Sequence, residues 1–381
     1  MHKHGGRSSF GRSAKPLSFG MEKGITTATD RTTALLCGVR GLELTDEERA
    51  FIKRFQPWGF IIFARNVDNP DQLLALTDEM RSLSDHDAVP ILVDQEGGRV
   101  QRLKPPHWPA YPTGKALGDV YRRDKSAGCR AAYLMSRLHA FDLHAVGVNV
   151  DCLPVLDVPT PDGHDVIGDR AYGYDVETVT DLGQAACEGL MAGGVQPVIK
   201  HIPGHGRATA DSHHALPVVS ADLETLRRSD FKPFTTLQHI PMAMTAHVIY
   251  SAIDPKLPAT TSKKVMDEIV RGEMGYDGLV MCDDITMGAL SGGLSDRARA
   301  ISAAGCDIIL HCTGHMDEMV EVAENTPILK NDALRRAERA VVGLSSFDDA
   351  DVAETRREFA ELMGEGPLVA AADPTDYGRT A

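Results

Sequence analysis

The sequence contains no stretch approaching the roughly 18 apolar residues a helix needs to span a membrane, no CxxC pair and no block of lysine and arginine. The first lack argues against a transmembrane segment. Seven cysteines (Cys37, Cys129, Cys152, Cys187, Cys282, Cys306 and Cys312) are odd in number and lie mostly within apolar runs. They read as free core thiols of a protein in a reducing compartment, the cytoplasm. Lys and Arg number 40 against 54 Asp and Glu, a formal net charge of −14, which argues against a nucleic-acid or anionic-membrane surface. The expected partner is a small soluble molecule. No GxGxxG turn is present, so nothing points to a dinucleotide site. With only Trp58 and Trp108, an aromatic platform for passive sugar binding is also missing.

What is present is a core. Apolar residues make up 43% of 381, enough for two average domains or for one barrel of about 250 residues with additions. Short apolar runs alternate with amphipathic helices along most of the chain. Strands are expected at 35–39, 59–64, 90–94, 148–155, 195–199, 242–248, 278–283 and 306–312. Thr45-Asp-Glu-Glu48 is a capping box, Pro70 opens a second helix, and Ala131, Leu134, Met135, Leu138 and Phe141 share the face of a third. Another helix runs from Val176 to the Gly193-Gly194 pair, and a last one covers 333–342. Eight strand-then-helix units without a domain-sized break predict a single α/β domain, a (β/α)8 TIM barrel over 33–344. An open doubly wound sheet is the weaker alternative, since polar residues end nearly every strand. Residues 1–32, rich in Gly, Ser, Thr and basic residues and lacking the apolar centre of a secretory leader, read as a disordered extension in which Met21 offers another start. Residues 345–381 read as a peripheral helix and a loose acidic tail.

The chemistry concentrates after the fifth strand. The apolar run Val195 to Ile199 has the composition of a strand buried on both faces, and it passes into Lys200-His-Ile-Pro-Gly-His-Gly206 and then Asp211-Ser-His213-His214. Pro203, Gly204 and Gly206 forbid a helix there. So many titratable groups at the carboxyl end of a buried strand read as an active site. Other strand ends add Arg65 and Asn66, the run from Asp94 to Arg102, Asp157, Ile167 to Arg170, His247, and Cys282-Asp283-Asp284. In a barrel, Asp94, Arg102, Arg170, Lys200, His201, His247 and Asp283 would share one mouth, a polar pocket suited to gripping hydroxyls.

These motifs, together with Gly59 to Asn66 and Asp283-Asp-Ile-Thr-Met287, closely resemble family 3 glycoside hydrolases, within them the single-domain bacterial β-N-acetylglucosaminidases of cell-wall recycling. The resemblance runs from about Leu35 to Leu344 in matching order. It departs at Ile202, where Phe is usual, and at Cys282, where Ser is usual; neither position carries charge. The resemblance implies a retaining hydrolase without metal or organic cofactor, acting as a monomer. Asp283 matches the nucleophile, His213 the general acid/base, and Asp211 its partner in a dyad on a mobile loop. Asp94, Arg102, Arg170, Lys200 and His201 match sugar-binding positions. The expected substrate is an N-acetylglucosaminyl-1,6-anhydro-N-acetylmuramic acid fragment.

The residues by themselves are compatible with this division of labour. A glycosidic oxygen leaves readily only when protonated, while a carboxylate stabilises the sugar carbon from the other face. Histidine titrates near 6.5, and a carboxylate two residues before it can orient it. A neutral base repels an incoming anion less than a carboxylate does, which keeps a phosphorylase open beside the hydrolase. Another family 3 β-glycosidase is a further alternative, although such enzymes usually carry a second domain. A metal-dependent hydrolase through His201 and His205 is remote, because Pro203 and Gly204 prevent the helical face that would make their spacing meaningful. Simpler roles are expected for several neighbours. Asp284 should brace the rim, His205 either brace the loop or join the site, and His214 face solvent. Arg65 and Asn66 should tie loops, Glu96 brace Arg99 or Arg102, and His247 either touch sugar or support Asp283 or Lys200.

Overall fold

A computed structural model describes residues 26–364 except 162, 209, 213–215 and 345. Eight parallel strands form the centre: β1 (Thr33–Gly38), β2 (Pro57–Ile62), β3 (Ile91–Val93), β4 (Val150–Asp151), β5 (Gln196–Ile202), β6 (Met242–Thr245), β7 (Leu279–Met281) and β8 (Ile309–His311). Each pairs with the next in sequence, and β1 pairs with β8 through Leu35 opposite Ile309. The ring closes where Met281 bridges Ile308 and the Cys282 N–H donates to the Ile308 carbonyl at 3.0 Å. The (β/α)8 barrel is therefore the fold, and the doubly wound alternative falls with the closure.

The helices follow from local chemistry. In α1 (Asp46–Phe55), Thr45 Oγ1 accepts from the Glu48 N–H while Glu48 accepts from the Thr45 N–H, the reciprocal bonds of a capping box. In α2 (Pro70–Leu83), Asn69 caps the helix and Pro70 fills a position whose N–H would have no partner, while Leu73, Leu76 and Met80 turn inward. Two helices then cross the same flank: α3 (Gly114–Arg123) and α4 (Lys125–His144). The chain continues through α5 (Val176–Ala192), two short helices (Leu223–Arg228 and Lys232–Thr236) and a π-helix (Val265–Glu273). It ends in α6 (Leu294–Ala304), α7 (Met316–Glu324), α8 (Asn331–Ala340) and α9 (Val352–Met363).

Leu35, Leu36, Phe60 and Ile199 are among the strand residues packed into the continuous core, each contributing about 1.5–3 kcal/mol relative to exposure. The strands that pair are mostly shorter than the apolar runs, because burial extends past the last ladder bond. β4 covers two residues of an expected eight. β1 and β2 are not shortened, and β5 exceeds its run, continuing through Lys200 and His201 to Ile202. Strand and site overlap there; the strand does not stop where the polar residues begin.

At the ends, Thr26 to Thr32, expected within the extension, lie against the barrel: the Thr26 N–H donates to Asp87 Oδ2 at 2.9 Å and the Leu329 N–H to the Thr32 carbonyl at 2.8 Å. The rest of that extension lies outside the described residues. Helix α9 packs on α4, with Arg130 holding Glu358 through two bonds of 2.7 Å; the tail beyond Gly364 also lies outside the described residues.

Candidate active site

A cavity opens at the carboxyl ends of the strands. Its lining includes Asp94, Arg102, Arg170, Lys200, His201 and Asp283, six of the seven side chains expected to share one mouth, together with His205, Ser212 and Asp284. Residues from β5 and from the segments that follow β3, β4, β5 and β7 thus converge on one place. A bulge explains how neighbours in one strand both reach it. Lys200 pairs with Met244 and Ile202 with Thr245, so His201 has no opposite number on β6. The extra residue re-aims the strand, and Lys200 and His201 line the same cavity where a regular strand would send them to opposite faces.

The charged groups form one network. Lys200 Nζ lies 2.8 Å from Asp94 Oδ1 and 2.7 Å from Glu96 Oε1. Asp94 Oδ2 accepts from Arg102 at 3.0 Å, and Glu96 holds Arg170 through two bonds of 2.8 Å. Burial works against ionisation of both carboxylates, but Lys200 and Arg102 outweigh it at Asp94, holding it well below the usual carboxylate range. At Glu96, Arg170 and Lys200 likewise outweigh burial and hold the carboxyl at about 2. Burial penalises the Lys200 cation too, yet its two carboxylates raise it above an ordinary lysine. The brace expected between Glu96 and Arg99 or Arg102 is instead a brace to Arg170 and Lys200. Arg99 pairs with Asp169, 3.0 Å away, and donates to the Asp165 carbonyl.

A second network orients the imidazoles. Asp157, fully buried beyond β4, accepts from the His201 N–H at 3.2 Å and from the His205 N–H at 2.6 Å, and its other oxygen lies 2.7 Å from His201 Nδ1. Burial is outweighed by the two histidines, and Asp157 is held at about 2. This carboxylate fixes the ring of His201 from behind. His205 packs its ring edge-on against His201 at 5.7 Å between centroids and sits 3.3 Å from the Ser212 hydroxyl through Nε2. Burial pushes His205 down to about 4, with His201 adding to the effect against Asp157. Among the described residues, no group of three or more His, Cys, Asp or Glu side chains is arranged to hold a metal ion.

At the end of β7, Asp283 is partly exposed to the cavity and accepts from the Asp284 N–H at 2.8 Å. Asp284 is buried and accepts from Thr286 and from the Cys312 N–H, tying β7 to β8. His247 does not line the cavity. It is fully buried, with Nδ1 2.7 Å from Thr260 Oγ1 and Nε2 3.0 Å from the Asp284 carbonyl, so it supports the peptide that follows Asp283 and does not face a sugar. Arg65 and Asn66 tie loops: Arg65 donates to the Val39 and Cys312 carbonyls, and Asn66 to those of Val39 and Gly41.

Asp211 is half-buried beside Ser212. His213 and His214 lie outside the described residues. Ser212 itself lines the cavity with Asp283, and its carbonyl accepts from the Ala289 N–H at 3.1 Å. The segment beyond β5 is thereby tied to the segment beyond β7. Sequence reasoning named Asp157 only as a polar strand end and missed that it holds both His201 and His205. The signal was faint: a buried imidazole needs a hydrogen-bond partner, but a hydroxyl or a carbonyl serves as well as a carboxylate.

Comparison with known proteins agrees with this architecture. Residues 29–343 match the family described as the glycosyl hydrolase family 3 N terminal domain. The Beta-hexosaminidase of Bordetella avium is 38% identical over 336 residues, 86% of this chain and 94% of that protein. The Beta-hexosaminidase of Alkalilimnicola ehrlichii is 40% identical over 297 residues, 77% and 84% of the two chains. Among solved structures, that of NagZ from Neisseria gonorrhoeae in complex with N-trifluoroacetyl-D-glucosamine superposes with a TM-score of 0.78 at 30% identity, covering 88% of this chain and all of that one.

Proposed function

The chain belongs to glycoside hydrolase family 3, and from that premise we propose how its residues divide the work of a β-N-acetylhexosaminidase. The activity is removal of a terminal β-linked N-acetylglucosamine. The observation that carries the assignment of roles is that Asp283 and Ser212, next in sequence to His213, line one cavity with the Asp94, Arg102, Arg170, Lys200 and His201 group.

In the first half-reaction the Asp283 carboxylate attacks the anomeric carbon. The bond from that carbon to the leaving oxygen breaks, and His213 donates its proton to that oxygen. In the second, water attacks the same carbon, His213 takes a proton from it, and the Asp283–carbon bond breaks. Two displacements retain the configuration. Asp211 orients His213 and supports its cation, as a carboxylate near an imidazole does. Asp94, Arg102, Arg170, Lys200 and His201 hold the sugar. Asp94, Arg102, Arg170 and Lys200 are held by one another and by Glu96, so the protein itself fixes their orientation toward the sugar.

The substrate we assign is the N-acetylglucosaminyl-1,6-anhydro-N-acetylmuramic acid fragment, with or without peptide, released in cell-wall recycling. The reading places the enzyme in the cytoplasm, in keeping with seven unpaired cysteines, and takes it to act as a monomer. Turnover of a panel of aryl β-glycosides, followed by trapping with a 2-fluoro sugar and mapping of the labelled residue, tests it. Label on Asp283, with N-acetylglucosaminides turned over best, is the expected result. Label elsewhere, or preference for glucosides, overturns it.

A further inference from the structure

We propose that His205 is a positioning residue for the acid/base step, acting through the hydroxyl of Ser212. The inference rests on the reading of His213 as the acid/base. It adds a requirement which that reading lacks: the segment carrying the dyad must be latched back onto the turn it leaves from.

The geometry has three parts. The turn itself is rigid. The His205 N–H is held by Asp157 at 2.6 Å, the Gly204 N–H donates to the His201 carbonyl at 2.7 Å, and the Tyr250 hydroxyl donates to the Gly204 carbonyl at 2.6 Å. The partners lie on β5 and in the segments that follow β4 and β6. Next, the His205 ring, 4% exposed, reaches seven residues along the chain to Ser212, also 4% exposed, at 3.3 Å. Last, the Ser212 carbonyl accepts from the Ala289 N–H at 3.1 Å. Ser212 is therefore fixed between the β5 turn and the segment that follows Asp283.

Asp211 and His213 flank Ser212 in the chain. A residue pinned on two sides restricts where its neighbours can go, and proton transfer tolerates little misplacement. The chemistry of His205 suits a latch better than a second acid. Its burial keeps the ring neutral in the working range, so it offers one N–H and one lone pair and holds a hydroxyl without placing a charge beside the reacting sugar. His205 needs no contact with substrate to act in this way.

Leaving-group dependence tests the proposal in a way that a general loss of folding does not imitate. His205→Phe fills the volume without the hydrogen bond, Ser212→Ala removes the other partner with little change of packing, and His205→Gln keeps a polar nitrogen near the position of Nε2. Each is assayed by kcat/KM on N-acetylglucosaminides with a 2,4-dinitrophenyl leaving group, which needs no proton, and with a 4-methylumbelliferyl group, which needs one. General acid catalysis is worth about 100- to 10,000-fold, and misplacing the acid should forfeit part of that. The expected result for both disrupting variants is a loss of about 10-fold or more on the methylumbelliferyl substrate, with the dinitrophenyl substrate little affected. The double variant should lose no more than the worse single one, and His205→Gln should recover most of the loss. Equal losses on the two substrates, or multiplying losses in the double variant, overturn the latch. His213→Ala run in parallel separates the two ideas. If it shows the leaving-group pattern and the His205 and Ser212 variants do not, the latch fails and the assignment of His213 stands. If His213→Ala shows no such pattern, the assignment fails and the latch with it.

Discussion

Two hydrogen bonds of 2.8 Å join the guanidinium of Arg170 to the carboxylate of Glu96, and both groups are buried. The pair lies 74 residues apart in the chain, and Arg170 itself lines the proposed sugar-binding cavity. Replacing a buried ion pair with apolar groups is often harmless, but removing one member strands the other. Glu96→Ala leaves Arg170 without its partner and Lys200 with one carboxylate in place of two. We expect a loss of about 3–5 kcal/mol in unfolding free energy and a lower kcat/KM. Glu96→Gln, which can still accept from Arg170, should lose less of both. Denaturant unfolding and steady-state assays check this, and an unfolding midpoint for Glu96→Ala equal to that of the parent would show that the pair contributes nothing.

Asn66 offers a contrast near the same rim. Its side chain is fully buried, accepts from the Phe63 N–H and donates to two carbonyls, so it joins the loops after β1 and β2. Asn66→Ala removes the partner of the Phe63 N–H and of the Gly41 carbonyl, while the Val39 carbonyl keeps Arg65, at about 1–3 kcal/mol for each group stranded. The expected outcome is a clear drop in melting temperature with kcat/KM changed by less than about threefold, less than 1 kcal/mol by the arithmetic of rate and free energy. A large kinetic effect at unchanged stability would mean that Asn66 contacts the substrate.

Such residues show where the sequence was informative and where it was silent. Strands and most long helices were legible because burial writes itself into periodicity, and the Thr45 box and Pro70 mark helix starts with local chemistry. Helix α3 was not set apart from the long excursion before α4, although Leu117, Val120 and Tyr121 have helical spacing. Gly114 and Gly118 weaken its propensity, yet both are demanded by packing. A Cβ at Gly118 would collide with the Tyr172 carbonyl, and one at Gly114 with that of Arg170. The charged strand ends were legible as a group, whereas their pairing was not. Glu96 with Arg170, and Asp157 with His201, join loops dozens of residues apart, and no local pattern records which carboxylate meets which cation.

Stability should fall with acid in two separable stages. His205 is depressed from 6.5 to about 4 by burial. A base depressed in the folded state leaves the unfolded chain binding more protons between those values, so its contribution is complete above pH 6.5 and is lost as pH falls toward 4. Asp157 is lowered from 3.8 to about 2 once the two histidines overcome its burial. Its contribution is present above pH 3.8 and is lost as pH falls toward 2. Unfolding free energy measured across pH should therefore be less steep between 6.5 and 4 in His205→Gln than in the parent, and less steep between 4 and 2 in Asp157→Asn. Parallel curves for parent and variants would refute the assignment of each window to its residue.

Lys200 sits between two carboxylates, and its removal should be readable in the pH dependence of catalysis. Asp94 and Glu96 stay ionised in a buried site because cations outweigh desolvation, and Lys200 contributes to both. In Lys200→Met the alkyl volume remains, but the two carboxylates lose the cation they share, leaving Asp94 hydrogen-bonded to Arg102 with Arg170 nearby, and Glu96 to Arg170. Desolvation then weighs more, and the two acids, no longer separated by a cation, also repel each other, so both carboxyls should titrate at higher pH. If ionised Asp94 binds a sugar hydroxyl, activity disappears as it is protonated, and kcat/KM reports that ionisation in the free enzyme. The acid limb of the profile should thus move upward in Lys200→Met, beyond any uniform loss from the missing ammonium contact. Glu96→Gln moves the limb differently. It removes a like charge from beside Asp94, an interaction that raises a neighbouring carboxylate, and it leaves Lys200 to Asp94 alone. Opposite shifts in the two variants would identify Asp94 as the titrating group, whereas a limb that stays in place in both would remove it from the binding of the sugar.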